Sequence, residues 1–137
     1  MRFGCALLYV KDFPRMRAFY SDLFESKAVN TEWTDTWARF DVGRASFALH
    51  AIPSDVADQI QVSPVPREKN PVKLIFQVDS VAAERLRLES LNITILQRAW
   101  QDSSESFEAV DPEGNIFQIS PAFETKSETI RNNCLVQ

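Results

Sequence analysis

The chain has 137 residues, 15 Lys and Arg against 19 Asp and Glu, a formal charge of −4, and 45% hydrophobic residues. That length suits one domain or two small modules sharing a core, with the composition of a globular protein. Scattered basic residues on an acidic chain leave no footprint for a phosphate backbone, so no nucleic-acid partner is expected. No apolar run approaches the roughly 20 residues of a membrane span. The apolar stretch ending at Lys11-Asp12 is too short for a signal peptide, so a cytoplasmic protein with no membrane partner is expected. Cys5 and Cys134 stand at opposite ends without metal-knuckle spacing and are expected to be reduced thiols.

Residues 3–10 are almost all apolar and read as a strand buried on both faces. Asp12 caps a helix running to Glu25, with Pro14 in its first turn and Met16, Phe19, Tyr20 and Leu23 as its apolar stripe. Three strand-like segments follow at 28–32, 37–42 and 45–52, the last two joined by a Gly43-Arg44 hairpin turn. Four of the seven prolines lie between Pro53 and Pro71, which marks a linker, with a helical turn expected within 56–62. The pattern then restarts. Residues 73–78 form a strand, and Asp79 or Ser80 caps a helix carrying Val81, Leu86, Leu88 and Leu91. Strands follow at 93–96, 107–110 and 116–120, the last two separated by the turn Asp111-Pro112-Glu113-Gly114-Asn115.

The order β-α-β-β-β thus occurs twice. Val10 and Val78 differ by 68 positions, as do His50 and Gln118, which predicts an internal duplication with a constant offset. One domain over 1–121 is expected: module one 3–52, linker 53–71, module two 72–121, then a polar tail over 122–137.

Leu8-Tyr9-Val10-Lys11-Asp12, Ala18-Phe19-Tyr20 and Leu23-Phe24 resemble the opening of glyoxalase I and bleomycin-resistance proteins, a strand ending V-x-D followed by a helix with F-Y. Ala109-Val110-Asp111-Pro112-Glu113-Gly114-Asn115-Ile116-Phe117-Gln118-Ile119 resembles their closing hairpin, D-P-[DE]-G-N and an alternating strand. Over residues 3–121 the chain therefore resembles the glyoxalase/bleomycin-resistance/extradiol dioxygenase (vicinal oxygen chelate) superfamily. The resemblance implies an α+β fold in which two βαβββ modules form a cupped mixed sheet, a homodimer, and a small-molecule ligand.

In metal-dependent relatives the ligands come from the first and last strand of each module, and those positions align with Cys5, His50, Lys73 and Gln118. The family patterns call for His, Gln and Glu there. Only His50 and Cys5 are good ligand types, and no carboxylate stands at the aligned positions. No metal or other cofactor is therefore expected, and a divalent metal held with an outside ligand such as Glu108 is the alternative.

Strand alternation turns Cys5, Leu7 and Tyr9 to one face and Ala6, Leu8 and Val10 to the helix. By the same rule Trp37, Arg39, His50, Lys73, Gln77, Glu108 and Gln118 join Tyr9 as ligand-binding candidates: apolar bodies with convergent polar heads, the make-up of a small-ligand pocket. His50 is the candidate acid or base. Arg39 beside an aromatic suits a carboxylate or a flat anionic ligand. Blander readings stand beside these. His50 can be a locally bonded strand-end histidine, Cys5 core filler, and Lys73 with Glu108 a plain ion pair. The expected function is small-molecule binding without the usual catalytic metal, in a cup for a small anionic or aromatic ligand. The alternative is a metal-dependent lyase, isomerase or dioxygenase with a non-standard ligand set, and a third reading is a regulatory module that has kept only the scaffold.

Overall fold

A computed structural model describes residues 1–25, 33–61, 66–103 and 105–123. Module one contains β1 (Cys5–Val10), α1 (Phe13–Leu23), β2 (Trp37–Val42) and β3 (Ala45–Ala51). A short α2 (Ser54–Ala57) opens the linker. Module two contains β4 (Leu74–Val78), α3 (Val81–Ser90), β5 (Thr94–Ile95), a 3-10 turn (Ala99–Ser103), β6 (Phe107–Val110) and β7 (Ile116–Pro121). The strand expected at 28–32 and most of the tail lie outside the described residues.

The strands form two mixed sheets, in the orders β1-β3-β2 and β4-β7-β6-β5. Each pairs its first strand parallel to its last (β1 with β3, β4 with β7), and the remaining neighbours are antiparallel. This is the α+β, twice-repeated architecture expected from the sequence. The turn at Gly43 needs a left-handed backbone, φ 63°, which glycine supplies without strain.

The repeat is less regular than the sequence suggests. Val10 pairs with Ala51, whereas Val78 pairs with Pro121. When Val10 is laid on Val78, β3 therefore matches β7 at an offset of 70 rather than 68. Gln118 then corresponds to Ala48, and His50 to Ser120. The slide is invisible in the hydrophobic pattern, because a shift of two residues leaves every side chain on its original face.

Both modules share one core. Phe24, at the end of α1, meets Phe40 at a tilt and Phe47 edge-on in the first sheet (ring centroids 5.5 and 5.4 Å) and Phe76 edge-on in the second (5.3 Å). Phe19 reaches Phe117 at 6.2 Å. Such pairs contribute about 0.5–1.5 kcal/mol each beyond area burial. In α3 only Leu88 is fully buried; Leu86 and Leu91, expected in its apolar stripe, are exposed because the helix meets the sheet along a narrow line.

Module two also grips both ends of α1. Asp12 caps the helix through Arg15 N at 3.2 Å. Glu113, buried in the β6–β7 turn, accepts the backbone N–H of Lys11 (2.9 Å) and Asp12 (2.8 Å). At the other end Arg87 of α3 donates to the carbonyls of Asp22 (3.0 Å) and Leu23 (2.6 Å). An anion at the helix N-terminus and a cation at its C-terminus both complement the macrodipole. Tyr20, mid-helix and buried, donates to Asp111 Oδ2 at 2.8 Å. Burial first, then the Asp111 carboxylate, push its phenol well above the ordinary value, so the hydroxyl stays protonated.

Glu113→Ala removes the acceptor from two part-buried N–H groups and is expected to cost about 1–3 kcal/mol. Tyr20→Phe, which leaves Asp111 its other donors, is expected to cost only about 1 kcal/mol. Urea denaturation compares them; a Glu113→Ala protein as stable as the parent contradicts the clamp.

Candidate functional site

The first strand, expected to be buried on both faces, is buried on one: Ala6, Leu8 and Val10 are at least partly buried, and Cys5, Leu7 and Tyr9 are exposed. The same holds in β4, where Ile75 and Gln77 are exposed between partly buried neighbours. At β1 and β4 each sheet therefore has one face on the core and one open face, whereas β6 is buried throughout, the candidate Glu108 included.

On the first sheet the pairing builds three cross-strand rows. Tyr9 and Trp37 both pair with His50. Their rings follow, with Tyr9 stacked on His50 (5.5 Å, 28°) and Trp37 meeting it edge-on (5.7 Å, 77°). The next row is Leu7, Ala48 and Arg39; the third is Cys5, Ser46 and Asp41, with Ser46 donating to Asp41 at 3.0 Å. The small side chain of Ala48 thus lies at the floor, between the three-ring row and the Ser46–Asp41 pair, with Arg39 at its side. Partial burial of the sulfur pushes the Cys5 thiol up, and the charge of Arg39 offsets this only in part. A protonated thiol is a poor nucleophile and a poor ligand.

The second sheet gathers charge. Gln118 lies opposite Glu108 across β6–β7 and beside Ile75 of β4. Glu108, only 6% exposed, accepts from Lys73 Nζ on one oxygen and Arg98 Nε on the other, both at 2.7 Å. The remaining arms of Arg98 fork onto Glu68 at 2.9 and 3.0 Å. Burial pushes the Glu108 carboxyl up, but its hydrogen bonds to Lys73 and Arg98 and their charges win, holding it below the usual carboxylate value. Gln118 donates to Ser120 at 2.8 Å, and Ser120 pairs with Gln77. Arg98 and Glu68 were not foreseen, because both sit in irregular segments where no periodicity assigns a face.

The four positions aligned with family metal ligands do not act as one set within their sheets. Cys5 pairs with Ser46 and His50 with Tyr9, so the two lie four residues apart along the strands, about 13 Å by strand rise. Lys73 serves Glu108 rather than Gln118. Among the described residues no group of three or more His, Cys, Asp or Glu side chains comes together to hold a metal. A divalent ion about 4 Å from the Lys73 ammonium would be repelled by roughly 8 kcal/mol at an effective dielectric near 20. This donor set does not fit a divalent cation.

A cavity of about 540 Å³ opens at the seam between the β2–β3 turn and β4, walled by Phe3, Val42, Phe47, Leu74 and Ile75. Arg44 is its only charged lining residue among those described, and Ser46 and Gln77, from the open faces of the two sheets, also line it.

Comparison with known proteins agrees with this architecture. Residues 5–120 match the family model of the glyoxalase-like domain. No curated protein matches the chain. Among solved structures, lactoylglutathione lyase from Agrobacterium tumefaciens is 24% identical, with a TM-score of 0.63 over 88% of this chain and 93% of that one. The fosfomycin resistance protein FosX from Listeria monocytogenes, solved with Mn(II) and sulfate, is 16% identical, with a TM-score of 0.61 over 97% and 96%. An integron cassette protein from the mobile metagenome of V. cholerae is 19% identical, with a TM-score of 0.62 over 90% and 96%. At these identities the likeness is one of fold, and among the described residues no helix is long and apolar enough to cross a membrane. With a matching family model over most of its length, the chain belongs to the glyoxalase-like domain family, within the glyoxalase/vicinal oxygen chelate superfamily.

Proposed function

We propose that this chain binds a small aromatic or anionic molecule and does so without a catalytic metal. The observation that carries the reading is the three-ring row of Tyr9, His50 and Trp37, with Arg39 one row away over the floor made by Ala48. A flat ligand lies against the rings, and a carboxylate on it meets the planar guanidinium. Lys73, Gln77, Glu108 and Gln118 form the polar wall on the second sheet. In the alternative, metal-dependent lyase, isomerase or dioxygenase reading, His50 serves as acid or base; the charge already spent on Glu108 argues against the metal.

A second copy of the chain completes the cup in this reading. Leu7, Tyr9 and Ile75 are 41%, 59% and 42% exposed, on strands that are the free edges of their sheets. Edge strands bearing exposed apolar side chains call for cover. A cytoplasmic setting accords with the free Cys5 thiol.

Calorimetric titration with a panel of small aromatic and keto acids is expected to find a binder whose affinity falls at least tenfold, about 1.4 kcal/mol, in Trp37→Ala and Arg39→Ala. No heat from any acid, or binding indifferent to both substitutions, overturns the reading. Elemental analysis of the purified protein is expected to find no stoichiometric metal; one Zn, Ni, Fe or Mn per chain restores the metal-dependent enzyme. Light scattering is expected to give twice the chain mass, and a clean monomer contradicts the dimer.

A further inference from the structure

We infer that the seam cavity binds a straight-chain carboxylate, with its head on Arg44 and its chain along Phe47, Leu74 and Phe76. This site is separate from the aromatic one proposed above and uses none of Tyr9, Arg39, Trp37 or His50. β4 lines the cavity with four residues in succession, Leu74 to Gln77, and module one lines it from the other side. β4 is the edge strand of its sheet, its neighbour is β7, and no β7 residue contributes to the lining. The cavity therefore runs beside the strand, between the two modules, rather than over one of its faces. Three steps of strand rise give it a length of about 10 Å. A second cavity of about 300 Å³ shares Ala6, Phe47 and Leu74 as walls, so the apolar seam goes on past Leu74.

The lining selects the ligand. Gly43 apart, every lining residue is apolar except Arg44, Ser46 and Gln77. A ligand polar along its whole length finds too few partners there, whereas an apolar chain with one anionic end matches the wall. Ser46 already donates its hydroxyl to Asp41, and Asp41 itself does not line the cavity. Arg44 is left to receive the head. It is exposed on the β2–β3 turn and makes no ion pair or hydrogen bond with another described residue. Its guanidinium can take a carboxylate with two parallel N–H donors, and the Gln77 amide stands on the opposite wall. Phe3, 75% exposed, leaves apolar surface for the chain to cover. Of the lining residues only Ile75 is among those assigned above to the second copy. A straight carboxylate of about eight to ten carbons spans the length of the cavity.

The test titrates the full chain calorimetrically with hexanoate, octanoate and decanoate, each below its micelle-forming concentration, and maps decanoate by backbone amide shifts. Affinity is expected to rise about two- to fourfold per added methylene. Decanoate is expected to bind roughly tenfold more weakly to Arg44→Ala, with part of the loss restored in Arg44→Lys, and decanol roughly tenfold more weakly than decanoate to the parent. Phe3→Ala is expected to weaken decanoate about threefold. Both substituted positions are exposed, and circular dichroism checks that the variants fold. Shifts are expected to centre on Gly43, Ser46, Leu74 and Gln77. No saturable binding by any of the three acids, affinity indifferent to chain length or to Arg44, or shifts centred on Tyr9 and His50 instead, overturns the inference.

Discussion

The charges that module two places on the two ends of α1 hold the structure together. Glu113 closes the N-terminus by accepting from Lys11 and Asp12, and Arg87 closes the C-terminus on the carbonyls of Asp22 and Leu23. Both contacts cross between modules, and both carry the sign that the helix dipole prefers. The turn that supplies Glu113 is itself fixed from within, since Asp111 accepts from the backbone of Glu113 and Asn115 and from the Asn115 amide. The linker joins at the same place, with Arg67 N donating to the Gly114 carbonyl and Lys11 Nζ to that of Ile60.

Fixing α1 fixes the faces. The helix lays Phe19, Tyr20 and Phe24 against phenylalanines of both sheets, so the core-facing residues of each strand are spoken for and the alternate residues must face outward. Tyr9, Trp37 and His50 then share one row by strand pairing alone. The two open faces end up chemically unlike. At the level where the first sheet has Arg39 beside Ala48, the second has Glu108 beside Gln118. Opposite charges thus stand at matched positions of the repeat, with aromatic surface on one half and an internally balanced ion network on the other.

Much of this was legible in the residues. A two-residue period sorted the faces of β1, β3, β4 and β7; Asp12 announced the first helix start as a cap, and of Asp79 and Ser80, both open at the second, Ser80 is the cap. The D-P-E-G-N turn and the V-K-D strand end pointed to the fold. What escaped was register and reach. The offset of 70 at β3 places Ala48, and not His50, opposite the position of Gln118, and a slide by two leaves no trace in alternation. Arg98 and Glu68 meet across a linker and an irregular turn, a long-range pairing that local pattern does not encode. Leu86 and Leu91 fit a helical stripe by spacing, yet only Leu88 finds the core.

We propose that the open face of the first sheet receives a ligand unaided by metal. Backbone amide chemical-shift mapping of chelator-treated, isotope-labelled protein with a small aromatic carboxylate tests it most directly. Saturable shifts centred on Tyr9, Arg39, Ala48 and His50 are expected with no metal added. Shifts confined to the seam around Arg44, or appearing only after a divalent ion is supplied, would contradict it.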